Sequence, residues 1–247
     1  MATLRKRRKT KTVIYIACEG TKTEYHYFEA LKESMDKDDL ELRIYPDESD
    51  KLELIQPHFV SKKHKKGTKT ETKSLQGVKT DPKSLCDHVI EKCKRDDGID
   101  EAWIVIDKDG HPNLKNIFEK AKNAGVKIAF SSIAFEHWLL LHFEPNITAF
   151  MKSDCKDKDG RYLKCGQLIH EQDCKGERCV ASHIRMKKYI ADYDKKATNL
   201  YHQTRQYLST AFENAKQLKY LSDNQIVIYD KNPYTDVDVL VKRLLDL

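Results

Sequence analysis

The sequence predicts an α/β fold: a parallel sheet flanked by helices, with a polar insertion and additional C-terminal helices. Three observations carry this. Val13 to Cys18 and Ala102 to Ile106 are compact apolar runs rich in β-branched residues, the pattern of strands buried on both faces. Stretches of helical periodicity alternate with such runs, as the crossovers of a parallel sheet require. Both runs end on acids followed by glycine, Glu19-Gly20 and Asp107-Lys108-Asp109-Gly110, where the chain is free to turn.

Taken in order, Val13–Cys18 is the first strand. Thr21 or Thr23 is placed to cap the following helix, in which Tyr25, Phe28, Ala30 and Leu31 recur at helical spacing. Leu40 to Tyr45 alternates as a second strand, stopped by Pro46. Residues 47–80 read as a polar insertion. Pro82 opens a helix with Leu85, Val89, Ile90 and Cys93 on one face. After the strand at 102–106, Leu114, Ile117, Phe118 and Ala121 mark an amphipathic helix closed near Gly125. Val126 to Phe130 is the next strand, and Phe135 to Phe143 is apolar enough for a buried helix. Residues 150–183 interrupt the pattern. Helices are predicted over Ile184–Asp194 and Lys196–Lys219, a short strand over Ile226–Tyr229, and a terminal helix over Thr235–Leu245. The organisation is a basic tail (1–11) and one domain (12–247) with insertions at about 47–80 and 150–183.

Composition narrows the function classes. The chain has 247 residues, enough to bury a large core, and contains no apolar run of membrane-spanning length. No secretory signal core follows the basic start, so a cytoplasmic location is expected and the seven cysteines are read as thiols or metal ligands. The net charge is +6, concentrated in the first eleven residues and in a lysine-rich stretch that includes Lys62, Lys63, Lys65 and Lys66. Such clusters attract polyphosphates, although a solvated tail and loop explain them as well.

In an open parallel sheet, ligands bind beyond the carboxyl ends of the strands. Glu19 and the Asp107/Asp109 pair both follow apolar strands directly, so one end of the sheet collects all three acids. Side chains two apart on an extended segment share a side, roughly 7 Å from one another. Asp107 and Asp109 then face a common space with Lys108 turned away. Gathered carboxylates repel unless a cation joins them. Mg²⁺ or Mn²⁺ suits carboxylates and water, and a nearby Lys or Arg is the alternative counter-ion. A metal held there can polarise a phosphodiester and activate a water, with Glu19 as ligand or general base.

These residues carry a resemblance. Cys18-Glu19-Gly20-Thr21-Lys22-Thr23-Glu24 with Tyr27-Phe28, followed by Ile106-Asp107-Lys108-Asp109, resembles the Toprim pattern: a lone glutamate after one strand and Asp-x-Asp after a later one. More narrowly the chain resembles the RloB-like family. Phe135-Glu136-His137-Trp138-Leu139 with His142-Phe143, and Asn232-Pro233-Tyr234-Thr235-Asp236-Val237, look like that family's other two blocks. The resemblance implies a Toprim-like nuclease fold, a Mg²⁺-dependent site and a role in bacterial anti-phage or restriction-associated loci beside an ATPase partner. Carried over by position, Glu19 is the Toprim glutamate and Asp107 and Asp109 the metal-binding pair. Glu136 is a further acidic candidate, while Asn232 and Asp236 read as weaker, structural ones.

Lys22 and His111, beside the acids, are expected to contact phosphate together with the lysine-rich stretch, on DNA or RNA. Cys155, Cys165, Cys174 and Cys179, with His170 and His183, are candidate ligands for a structural zinc; their spacing lacks the paired Cys-x-x-Cys form, and reduced thiols are the other reading. Glu24 belongs either to the site or to the start of its helix, where an acid favours the macrodipole. The competing functions are a phospho-acceptor domain, against which the order of the acids argues, and a non-catalytic adaptor binding nucleic acid or the ATPase. Self-association of the chain is left open.

Overall fold

The computed structural model describes residues 11–20, 22–46, 80–108, 110–154, 179–191 and 193–246. The basic tail, nearly all of the first insertion and most of the second lie outside them, as does Asp109.

Five strands form one sheet: β1 (Thr12–Cys18), β2 (Leu40–Tyr45), β3 (Glu101–Asp107), β4 (Lys127–Ser132) and β5 (Tyr234–Thr235), in the order β2-β1-β3-β4-β5. The first four run parallel, in a register that pairs Ile16 with Ile44, Ala17 with Ile104 and Asp107 with Ser131. Only β5, at the edge, is antiparallel. The strand alternation splits the core into two layers. Ile14, Ile16, Trp103 and Val105 face one way, packing with Phe28, Trp138, Leu200 and Leu240. Tyr15, Ala17, Ile104 and Ile106 face the other, against Leu85, Val89 and Ile117. With both faces covered, the strands read as unbroken apolar runs, which is why they were legible.

The helices are α1 (Thr23–Glu33), α2 (Pro82–Arg95), α3 (Leu114–Asn123), α4 (Glu136–Leu141), α5 (Val180–Lys187), α6 (Leu200–Thr204), α7 (Leu208–Leu221) and α8 (Val237–Leu245). Helix α2 starts as its sequence dictates: Asp81 accepts from the Ser84 amide at 3.1 Å and Pro82 occupies the first turn. Every side chain of α4 is buried, and Trp138 donates to the Tyr27 hydroxyl at 3.0 Å. No helix among the described residues is long and apolar enough to cross a membrane.

Four expectations need correction. Helix α1 begins without a side-chain cap, because Thr23 Oγ1 donates instead to the Lys195 carbonyl at 3.0 Å; Thr21 lies outside the described residues. The helix expected over 184–194 runs over 180–187 and stops at Lys188, whose φ of 56° is left-handed. Ile190 and Tyr193 mimic helical spacing but are buried from a loop. The helix expected over 196–219 is replaced by α6, a 3-10 turn at Arg205–Tyr207 and α7. At the break the Thr204 hydroxyl donates back to the Leu200 carbonyl at 2.8 Å, a bond that bends helices. Finally, 226–229 is no strand. The free side of β4 is taken by Tyr234–Thr235, so Ile226 and Val227 stay exposed and a 3-10 turn forms at Ile228–Asp230.

Candidate active site at the carboxyl end of the sheet

Strand order places β1 and β3 side by side and parallel, so their carboxyl ends coincide. Glu19 leaves β1 with its amide donating to the Val105 carbonyl at 3.0 Å. Its Oε2 accepts from the Asp107 amide at 3.0 Å, and its Oε1 stands 2.5 Å from His111 Nε2. The expected convergence of Glu19 with the end of β3 is thus present, 88 residues apart in sequence. Lys108 is turned away, donating at 2.8 Å to the Asp230 carbonyl.

Asp107 shares its side of β3 with Trp103 and Val105, which directs it toward α1 and α4. There it meets Glu24 and Glu136, the two further acidic candidates. Its Oδ1 is buried and finds no hydrogen-bond partner among the described residues. Burial first, then the charges of Glu24, Glu19 and Glu136, push its pKa well above the ordinary carboxylate range, while Lys195 opposes. Glu24, in the first turn of α1, is buried too; burial and then Glu136 raise it to about 7. Glu24 therefore belongs both to its helix start and to the site. Gly20 allows this packing: a Cβ there would stand 1.8 Å from Glu24 Oε2.

Glu136 opens α4 and is only 1% exposed. Its Oε1 accepts from the Tyr193 hydroxyl at 2.9 Å and pairs with Lys195 Nζ at 2.9 Å, while Ser153 donates to Oε2 at 3.4 Å. Burial works against the Lys195 ammonium, yet Glu136, Asp107 and Glu24 together hold its pKa above the usual lysine value. So a lysine does enter the cluster, as the alternative counter-ion would. Among the described residues Lys195 is the ammonium that Glu24, Asp107 and Glu136 share. Sequence reasoning missed Lys195 and Tyr193, and nothing in their neighbourhood singles them out; they come from the loop mistaken for a helix.

A cavity of about 420 Å³ opens on this cluster. Acids and bases line it together: Glu19, Glu24, Asp154 and Asp194 with Lys22, Arg185, Lys195 and Lys196, and Thr80 beside them. Arg185 forms a buried two-point pair with Asp154, at 3.0 and 2.7 Å.

Some predicted residues are elsewhere. Asp109, Lys62, Lys63, Lys65, Lys66, Cys155, Cys165, Cys174 and His170 lie outside the described residues. Cys179 is buried immediately before α5, and His183 contacts Glu144 at 2.8 Å. Asn232 donates to the Phe150 carbonyl at 2.9 Å and Asp236 pairs with Lys219 at 3.2 Å, both structural roles. His137 and His142 are buried, and burial lowers each to about 4, so both are neutral core residues at ordinary pH.

A divalent cation fits the donor chemistry. Among the described residues no three His, Cys, Asp or Glu side chains form a ready ligand set. The groups that do converge offer carboxylate oxygens, one of them the unsatisfied Asp107 Oδ1. Mg²⁺ keeps several waters and needs only one or two protein carboxylates besides a substrate phosphate.

A protein-family model described as "RloB-like protein" matches residues 14–244, nearly the whole chain. The chain belongs to the RloB-like family. Both edges of the RloB-like match fall within the sheet and its last helix, so the match spans the site and its supports alike. Comparison with the curated proteins and with the solved structures returns no match.

Proposed function

We propose that this RloB-like protein is a metal-dependent nuclease of Toprim type, hydrolysing phosphodiester bonds of DNA or RNA at the Glu19–Asp107 end of the sheet. The observation that carries the reading is the buried, unsatisfied Asp107 Oδ1 in a cluster of four carboxylates. A buried polar atom without a partner costs on the order of 1–3 kcal/mol, a cost that a ligand present in the working state removes. The five-stranded, mostly parallel sheet, with a lone glutamate after β1 and an aspartate closing β3, supports the Toprim assignment.

In this reading Glu19 and Asp107, with Asp109 by position, hold Mg²⁺ or Mn²⁺. The bound ion supplies Lewis-acid polarisation of the phosphodiester and a more acidic water. His111 orients Glu19 from the outer side. Glu24, with a proton affinity near neutral pH, is matched to general acid–base work. The biological setting we propose is a cytoplasmic effector of anti-phage or restriction-associated defence, acting with an ATPase encoded alongside.

The test is cleavage of plasmid DNA and of structured RNA in Mg²⁺ or Mn²⁺, with the full chain alone and with the ATPase. Glu19→Gln and Asp107→Asn should each lose at least about 10³-fold in rate, the scale of losing a ligand central to transition-state stabilisation. Either variant cutting as fast as the wild type overturns the assignment. A second reading, a non-catalytic adaptor, draws on the Lys195–Glu136 pair as a built-in counter-ion. It requires nucleic-acid affinity with no hydrolysis and no calorimetric Mg²⁺ binding.

A further inference from the structure

The bases that line the cavity have a chemistry of their own. The loop between α5 and α6 is fastened at three points. Thr23 Oγ1 donates to the Lys195 carbonyl at 3.0 Å, Arg185 Nε donates to the Tyr193 carbonyl at 3.3 Å, and the Tyr193 hydroxyl donates to Glu136 at 2.9 Å. The Arg185 guanidinium also stacks on the Tyr193 ring, 5.5 Å from its centroid. Lys195 is therefore held in place from both ends, its ammonium 2.9 Å from Glu136 and hydrogen-bonded to Ser153. Its side chain is still 22% exposed, and it lines the cavity. A surface lysine surrenders much side-chain freedom when it grips a ligand; this one has surrendered it already.

Two further acids line the same cavity. Asp154 is engaged by Arg185 through two hydrogen bonds, and Asp194 Oδ1 accepts from the Lys196 amide at 2.8 Å. Lys22 and Lys196, both exposed, line the cavity too. The cavity thus brings carboxylates suited to a cation together with ammonium groups suited to the anion which that cation would share.

We infer that Lys195 is the phosphate contact of this site: its ammonium binds a backbone phosphate of a polynucleotide in the cavity that Glu19 also lines, with Lys22 and Lys196 holding flanking phosphates. The inference rests on the nuclease reading for its substrate class, but it predicts binding as well as cleavage.

The experiment measures fluorescence anisotropy of labelled 12-nucleotide single-stranded DNA and RNA probes against KCl concentration, with Ca²⁺ replacing Mg²⁺ to prevent cleavage. The proteins are wild type, Lys195→Met, Lys195→Arg and Lys195→Met/Glu136→Gln; the double variant removes the buried carboxylate that Lys195→Met would leave unpaired. Lys195→Met and the double variant should bind about tenfold more weakly, and the log–log salt slope should fall by about one phosphate contact. Lys195→Arg should keep the slope. A purely structural lysine would leave the salt lines parallel, and parallel lines for the double variant overturn the inference, as does failure of the wild type to bind either probe. Glu19→Gln/Asp107→Asn should keep the slope while losing Mg²⁺-dependent cleavage. Continued cleavage by that variant overturns the nuclease reading instead, and the slopes still decide Lys195.

Discussion

Along the walls of one cavity two sets of charges are treated in opposite ways. In one, Arg185 and Asp154 are both buried and meet through two hydrogen bonds. In the other, Glu24, Asp107 and Glu136 gather around the ammonium of Lys195 with Glu19 close by, and Asp107 Oδ1 has no hydrogen-bond partner among the described residues. The first arrangement is complete as folded. The second is complete only when something else arrives, and that contrast separates a structural ion pair from a working site within a single pocket.

The largest effect should come from breaking the completed pair. Arg185→Ala strips the buried Asp154 of its two guanidinium hydrogen bonds, which costs about 3–5 kcal/mol. A urea titration should show the midpoint fall sharply with an unchanged slope, and an unshifted midpoint would mean that the pair is not the closed unit described.

Filling the incomplete cluster should come next. At about 100 times its dissociation constant, Mg²⁺ should stabilise the wild type by about 2.7 kcal/mol. In Glu19→Gln/Asp107→Asn the gain should vanish. The pH dependence has a definite sign. Glu24 is raised from 4.5 to about 7, so the folded chain holds this proton more tightly than the unfolded chain. The metal-free protein should therefore lose stability as pH rises from 4.5 through about 7, while Mg²⁺, which must displace protons here, binds more tightly over the same window. Thermal melts with and without Mg²⁺ across that range should diverge as pH rises; parallel curves would count against the cluster as the binding site.

Removing one charge from the crowded cluster should help folding. At pH 8 in the absence of metal, Asp107→Asn should gain about 1 kcal/mol, seen as a melting point higher by a few degrees, even as it removes activity. A loss of stability would mean that Asp107 has a partner. The smallest effect should be that of Gly20→Ala, which pushes the Glu24 carboxylate aside at about 1 kcal/mol or less. Its signature is a flatter pH dependence of Mg²⁺ affinity, and a profile identical to wild type would show that Glu24 does not set it.

Much of the frame was legible because burial leaves a local imprint. Strands β1 and β3 are covered on both faces and read as apolar blocks, β2 at the edge reads by its alternation, and Glu19 and Asp107 converge because parallel strands end together. The rest depends on contacts that sequence does not encode locally. Lys195 reaches Glu136 across 59 positions from a loop whose Ile190 and Tyr193 imitate a helix. The apolar residues 226–229 have the composition of a strand, but a sheet edge is needed too, and Tyr234–Thr235 occupies it. Glu24 could be read either way, since an acid in the first turn of a helix needs no site to explain it.

The contact between Gly20 and Glu24 reaches beyond this one chain. Because the Glu24 carboxylate fills the space where a side chain at position 20 would begin, the two positions are coupled. A relative that acquires alanine at position 20 must shorten or redirect the residue four places on. Paired substitution at these two sites across descendants of a common ancestor would be the historical trace of that squeeze.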